Sequence, residues 1–239
     1  MFNKKIEFYS PEYTAEELKK YIRRFPYNLP SYFKAIPKNV FSLEFKKFLP
    51  GNKTIKTCPG FINLYRRSLL FTSPWDLHFL FDDKGIISYQ NGAVGGQYTR
   101  GPSVEVHPNE QFLNYVPSTK YKFILKIIYR IYCDTNTSIM MHNNFYNFDN
   151  IITPTGFFHN YNPSASPGFF HSKSSEINYF ILIPKEQTEL FIKEGQSLAL
   201  LTPLYHKNID ITYTQRELGR PKFIQRKFLR LKEYLLDKL

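Results

Sequence analysis

From Lys53 to Gln215 the chain is a succession of short runs, each bounded by Gly, Pro, Asn or Asp: "NKTIKTC", "SLLFTS", "DLHFLFDD", "GIISYQN", "SVEVHP", "YKFILKIIYRIYCD", "TSIMMHN", "INYFILIP", "QSLALLTP" and "IDITYT". Alternation of apolar and polar residues puts successive side chains on opposite faces of a pleated strand, and the punctuation limits each run to one strand. The spacing predicts a mainly β protein, an antiparallel β sandwich or barrel over 53–215. Rings support this: 18% of residues are aromatic, with 23 Phe and 18 Tyr, and flat stiff side chains suit half-buried pleated surfaces. Within "FDDKGII", Gly85 occupies the hairpin position that tolerates positive φ. A chain of 239 residues can bury a sizeable core in one such domain.

Two segments flank it, 1–52 and 216–239. In the first, "KKIEFYS" reads as a strand and "SPEYTAEELKKYIRRF" as a helix with Pro11 near its first turn, Glu16 and Glu17 at its electropositive end, and Lys19, Lys20, Arg23 and Arg24 at the other. That order accounts for much of the basic cluster without a ligand. "PYNLPSYFKAIPKN" carries three prolines, so it is expected to wrap the body as an extended arm anchored by Tyr27, Tyr32 and Phe33. At the other end, Ile224, Phe228, Leu231, Leu235 and Leu239 recur at helical spacing, which predicts a basic amphipathic C-terminal helix.

The formal charge of +12, from 32 Lys and Arg against 20 Asp and Glu, biases the molecule toward polyanions without specifying one. Cys58 and Cys133 are too few for a disulfide framework or a four-cysteine zinc site, and Cys58, before Pro59, is expected to be a buried structural thiol. No run approaches the ~18 apolar residues of a membrane span, and the first residues lack the apolar stretch of a secretion signal.

Each candidate site has to supply the groups its chemistry requires. "TPTGFFHNYNPSASPGFFHSKSSEI" carries a doubled Gly-Phe-Phe-His, with His159 and His171. A catalytic metal needs about three convergent ligands, and neither half supplies a His-x-His pair. The expectation is therefore no metal and no cofactor, with Phe158, His159, Phe170 and His171 in a subunit-contact loop. In "PWDLHFLF", Trp75, Asp76 and His78 form a second candidate, a pocket in which Asp76 and His78 share a face of a regular strand, as an acid–base pair or as a hydrogen-bonded surface pair. "GAVGGQ" lacks the Lys-Ser/Thr of a P-loop, and no "G-x-S-x-G" elbow occurs. In the terminal helix, Phe223, Phe228 and Leu231 are expected to dock on a neighbour, while Arg226 and Lys227 offer contact to a polyanion.

Three stretches, "TIKTCPGFINLYRRSLLFTSPWDLHF", "ITPTGFF" and "IKEGQSLALLTPLYHK", following a "LPSYFKAIP" arm, together resemble an uncharacterised protein family of tailed phages and other large DNA viruses. The later pieces are also similar to the dUTPase and dCTP deaminase β-clip group. Pro154-Thr155-Gly156 stands where that group has its Ser-Gly turn, and Ile192 to Leu200 resembles its late strand. The resemblance implies a β-clip-like barrel and a trimer. The group's catalytic "G-x-I-D-x-x-Y" hairpin has no counterpart in "SPGFFHSKSSEINYF". The sequence therefore reads as a non-enzymatic viral structural or assembly protein, located in the virion or host cytoplasm. Its expected partners are its own copies and other virion proteins. The alternative is a β-clip nucleotide-binding or nucleotide-processing protein expressed during infection.

Overall fold

The computed structural model describes residues 4–91, 101–108, 121–142, 164–165, 168–170, 175–204 and 209–217. Its elements begin with β1 (Lys4–Ser10), α1 (Ala15–Tyr21), β2 (Ile22–Arg23), a 3-10 turn (Ser31–Lys34), β3 (Asn39–Ser42), β4 (Lys47–Lys53), a second 3-10 turn (Ile55–Thr57) and α2 (Pro59–Arg67). Strands β5 (Leu69–Thr72), β6 (Leu77–Phe81), β7 (Ile86–Asn91), β8 (Ser103–His107), β9 (Tyr121–Thr135) and β10 (Ile139–His142) follow. The last are β11 (Ser164–Ala165), β12 (Gly168–Phe170), β13 (Ser175–Pro184), β14 (Glu189–Ile192), β15 (Ser197–Pro203) and β16 (Ile209–Gln215).

The protein is mainly β. The largest sheet runs β11-β13-β9-β1-β16, with β8 also on β9; the others run β12-β10-β15-β5-β2, β14-β6-β7 and β3-β4. None of these closes on itself among the described residues. Strand β9 is the spine of the large sheet. Along one edge it pairs with β13, and along the other it pairs first with β8, through Ile124–Ile128, and then with β1, through Tyr132–Thr135. Between those two partners Arg130 has φ 53, and the β13 register shifts opposite it. The buried Ser10 hydroxyl donates to the Arg130 carbonyl at 2.9 Å, which ties the end of β1 to this bulge.

Alternation in β9 gives the core its direction. Phe123, Leu125, Ile127, Tyr129, Ile131 and Cys133 all point inward, and they meet Ile177, Tyr179 and Ile181 from β13, Leu69 and Phe71 from β5, and Leu77 and Phe79 from β6 in one cluster. Three of the sheets thus share a core. Burying each such side chain contributes roughly 1.5–3 kcal/mol. Phe71 and Tyr129 meet edge to face with centroids 5.4 Å apart, and the Tyr179 hydroxyl donates to the Leu198 carbonyl at 2.9 Å. Burial pushes the Tyr129 and Tyr179 phenols well above their ordinary pKa, and it pushes the Cys133 thiol up to about 12.

Several local expectations need correction. Helix α1 is short because Thr14, not Pro11, starts it: the Thr14 hydroxyl accepts from the Glu17 N–H, and the Glu17 carboxylate accepts from the Thr14 N–H, a capping box. It ends at Tyr21, so Arg23 and Arg24 lie outside the reach of its dipole. "NKTIKTC" is not a strand, since β4 ends at Lys53 and Ile55–Thr57 turns into α2. Helix α2, between strands rather than at an end, starts with Pro59 at its first turn and buries Phe61 and Tyr65 one turn apart. Pairing is also not wholly antiparallel, because β1 and β16 run parallel. In the arm, Phe33 stacks on Phe61 at 5.3 Å and is buried, whereas Tyr27 is 77% exposed. Cys58, expected inside, is exposed.

Candidate functional site

The hairpin β3-β4 stands apart, pairing with no other strand among the described residues. Its turn is set by Lys46 at φ 48 and by the Ser42 hydroxyl, which accepts the Phe45 N–H at 3.2 Å. Its base is tied down by the Thr54 N–H, which donates to the Lys38 carbonyl at 3.1 Å, and by the Lys56 ammonium on the Lys34 carbonyl at 2.9 Å. What it displays is apolar: Val40 is 40% exposed, Phe41 45%, Leu43 85% and Phe45 58%. The exposed Lys46, Lys47 and Lys53 rim these residues, with the Lys47 ammonium 5.9 Å from the Phe45 ring.

A second apolar surface lies on the outer face of β14-β6-β7. Register places His78 opposite Phe191 and Leu80 opposite Glu189, so the four share the face turned away from Phe79, Phe81 and Leu190. Leu80 and Phe191 are exposed there, and so is Ile87 at the bulge of the β6-β7 pair. The β6-β7 turn beside it carries Asp82, Asp83 and Lys84, all exposed, and Asp83 is paired with Lys122 at 3.4 Å. The Asp82 carboxylate accepts the Lys84 and Gly85 N–H groups at 2.8 Å each and is thereby held below the usual carboxylate range.

The residues singled out in "PWDLHFLF" do not act on one another. The His78 ring contacts the Glu189 carboxylate at 2.6 Å and the Phe191 ring at 5.9 Å. The Asp76 carboxylate instead accepts the Glu194 N–H at 2.6 Å, bracing the turn in which Gly195 has φ 77. Trp75 packs against the main core and donates its ring N–H to the Tyr13 hydroxyl at 2.7 Å, fastening the approach to α1 onto the start of β6. Burial raises the Tyr13 phenol strongly, against the lowering effect of that bond. Sequence gave no sign of Glu189, which lies 111 residues from His78 and meets it only through strand pairing.

Phe158, His159 and His171 lie outside the described residues, as do Phe223, Phe228 and Leu231; Phe170 is described only as a backbone position opposite Ile139. Among the described residues no cluster of His, Cys, Asp and Glu has metal-binding geometry, and no helix is long and apolar enough to cross a membrane. No family model, curated protein or solved structure matches this chain.

Proposed function

We propose that this chain is a non-enzymatic assembly protein of a large virus or phage, acting by self-association and by attachment to other virion components. The observation that carries the reading is the presence, on one chain, of two exposed apolar surfaces. One is the hairpin around Leu43 and Phe45, where lysines outnumber the single Glu44; the other is the Leu80–Phe191 face, where His78 pairs with Glu189. A protein stable alone rarely leaves such surfaces uncovered. The occupant we assign to each is the other surface on a second copy. That contact is head-to-tail, so it closes into a ring when the rotation allows, a trimer among the options. The finer fold in this reading is a sandwich of the β-clip kind, supported by the three sheets around one core and by the Gly195 turn that leads into β15. The viral setting rests on the resemblance of the three quoted stretches.

Sedimentation tests the reading through complementation. Leu43→Ser with Phe45→Ser, and separately Leu80→Ser with Phe191→Ser, should each leave a folded monomer. Mixing the two variants should restore a dimer and nothing larger, because one intact hairpin then meets one intact face. A wild-type chain that stays monomeric at high concentration, or variants that still form the full oligomer, would remove the proposal. A melting temperature raised by dUTP or dCTP with magnesium would favour the nucleotide-binding alternative.

A further inference from the structure

The helix dipole accounts for fewer of the N-terminal cations than the sequence suggests. Lys20 is paired with Glu194 at 2.6 Å, and Arg23, half-buried by its place in β2, donates to the Gly195 carbonyl at 3.1 Å. Lys19 and Arg24 are left over. Arg66 and Arg67, at the end of α2, face the same region, and among the described residues none of these four lies within ion-pair distance of a carboxylate. Elsewhere the pattern differs: Arg130 meets Glu12, Arg216 meets Glu7 and Asp134, and Lys126 meets Glu105.

These four cations line two adjoining concavities of about 600 and 160 Å³, which share Arg24, Phe25 and Ile211. Among the described residues, no acidic side chain lines either one. The groove is held by fixed points: the buried Asn28 amide donates to the Tyr65 and Ser68 carbonyls at 2.7 and 2.8 Å, and the Tyr213 hydroxyl donates to the Ile22 carbonyl at 3.0 Å. These bonds hold β2, the end of α2 and the edge strand β16 around one cleft. Aromatic surface lies among the charges. Arg66 sits over the Phe25 ring at 5.6 Å, Tyr213 forms part of the wall, and Tyr27 stands 77% exposed at the mouth.

Like charges gathered without counter-charges repel, and a rigid cleft that gathers them beside exposed rings fits a ligand carrying both regular negative charge and flat faces. We propose that this groove binds single-stranded nucleic acid, with Lys19, Arg24, Arg66 and Arg67 on successive phosphates and Tyr27 stacked on a base. A duplex hides its base faces and would leave Tyr27 without a role. This site is separate from the hairpin and the Leu80–Phe191 face, so it stands or falls independently of the assembly reading.

Fluorescence polarisation with a short labelled oligothymidylate tests it. The wild-type protein should bind with an affinity that falls with salt at a logarithmic slope of about −3, the value for some four phosphates on a single strand. Arg24→Gln, Arg66→Gln and Arg67→Gln together should weaken binding about tenfold or more and flatten that slope. Tyr27→Ala should weaken it several-fold with the slope unchanged, the mark of lost stacking. All four side chains are exposed, so folding should not suffer, and unchanged thermal melts would show it. The control, Lys5→Gln with Lys38→Gln and Lys185→Gln, removes equal charge from exposed positions outside the groove and should do little. The proposal is overturned by equal loss in the control, by Tyr27→Ala binding as wild type, by tighter binding of duplex or of phosphatidylserine vesicles, or by no binding at low salt.

Discussion

The three-sheet core and the β3-β4 hairpin are built from the same kind of sequence, strands rich in Phe, Leu, Ile and Val, yet they use it in opposite ways. In β9 every second residue enters a cluster fed by three sheets, and Phe71, Tyr129 and Phe79 are wholly buried. In the hairpin, Phe41 on β3 and Leu43 and Phe45 in the turn are exposed, and no second layer of the described chain covers them. A two-stranded ribbon is marginal alone in water. The difference teaches that apolar patterning fixes which residues share a face, whereas the covering partner decides whether that face stabilises a fold or an assembly.

Alkali should separate the two regions most strongly. The Cys133 thiol moves from its ordinary 9.0 to about 12 on burial, and the Tyr129 and Tyr179 phenols also rise. Below pH 9 folded and unfolded chains both hold the Cys133 proton, so its contribution is complete. Above pH 9 the unfolded chain gives up that proton first, and stability falls until the folded thiol ionises near 12. A three-unit shift is worth on the order of 4 kcal/mol for this thiol. Urea midpoints should therefore fall steadily above pH 9, and a Cys133→Ser variant should lose part of that slope. The hairpin has no Tyr or Cys between Asn39 and Lys53 and should not contribute.

Truncation comes next. Phe71→Ala should cost about 3–5 kcal/mol in urea unfolding, because the cavity it leaves beside Tyr129 cannot fully collapse. Phe45→Ala should change monomer stability by only about 0.5 kcal/mol while reducing self-association. A large loss of monomer stability from Phe45→Ala would break the distinction. Asn28→Ala should cost roughly 1–3 kcal/mol, since the Tyr65 and Ser68 carbonyls lose a buried donor. Smallest is Lys20→Gln: its ion pair with Glu194 is exposed, so the loss should stay within about 1 kcal/mol and shrink in salt.

Strands whose cue is local were legible. "KKIEFYS" is β1 residue for residue, and "SVEVHP" and "YKFILKIIYRIYCD" give β8 and β9 to within a residue. Partnership was not. Nothing near Ile6 indicates that it lies parallel beside Ile211, and nothing near His78 points to Glu189. Helix α2 escaped because it is only nine residues long, so that the helical spacing of Phe61, Ile62, Leu64 and Tyr65 spans less than two turns and does not stand out among the short apolar runs of strands. The basic groove was hidden for a related reason. Arg24 and Arg66 are far apart in sequence and come together only when β2 and α2 close on β16.

The position of β1 between β9 and β16 carries a consequence for biosynthesis. Its parallel partner lies about 200 residues downstream, and at roughly 5–20 residues per second a ribosome needs about 10–40 s to deliver it. Both edges of β1 are unpaired until Tyr132–Thr135 emerges, and one of them stays open until Ile209–Gln215 follows. The nascent chain thus carries an open pairing template for most of its own synthesis, at a time when other copies emerge from the same message. Lys4 and Lys5 at the start of that strand, and Glu7 within it, are the kind of charged residues that discourage premature edge-to-edge pairing between neighbouring chains.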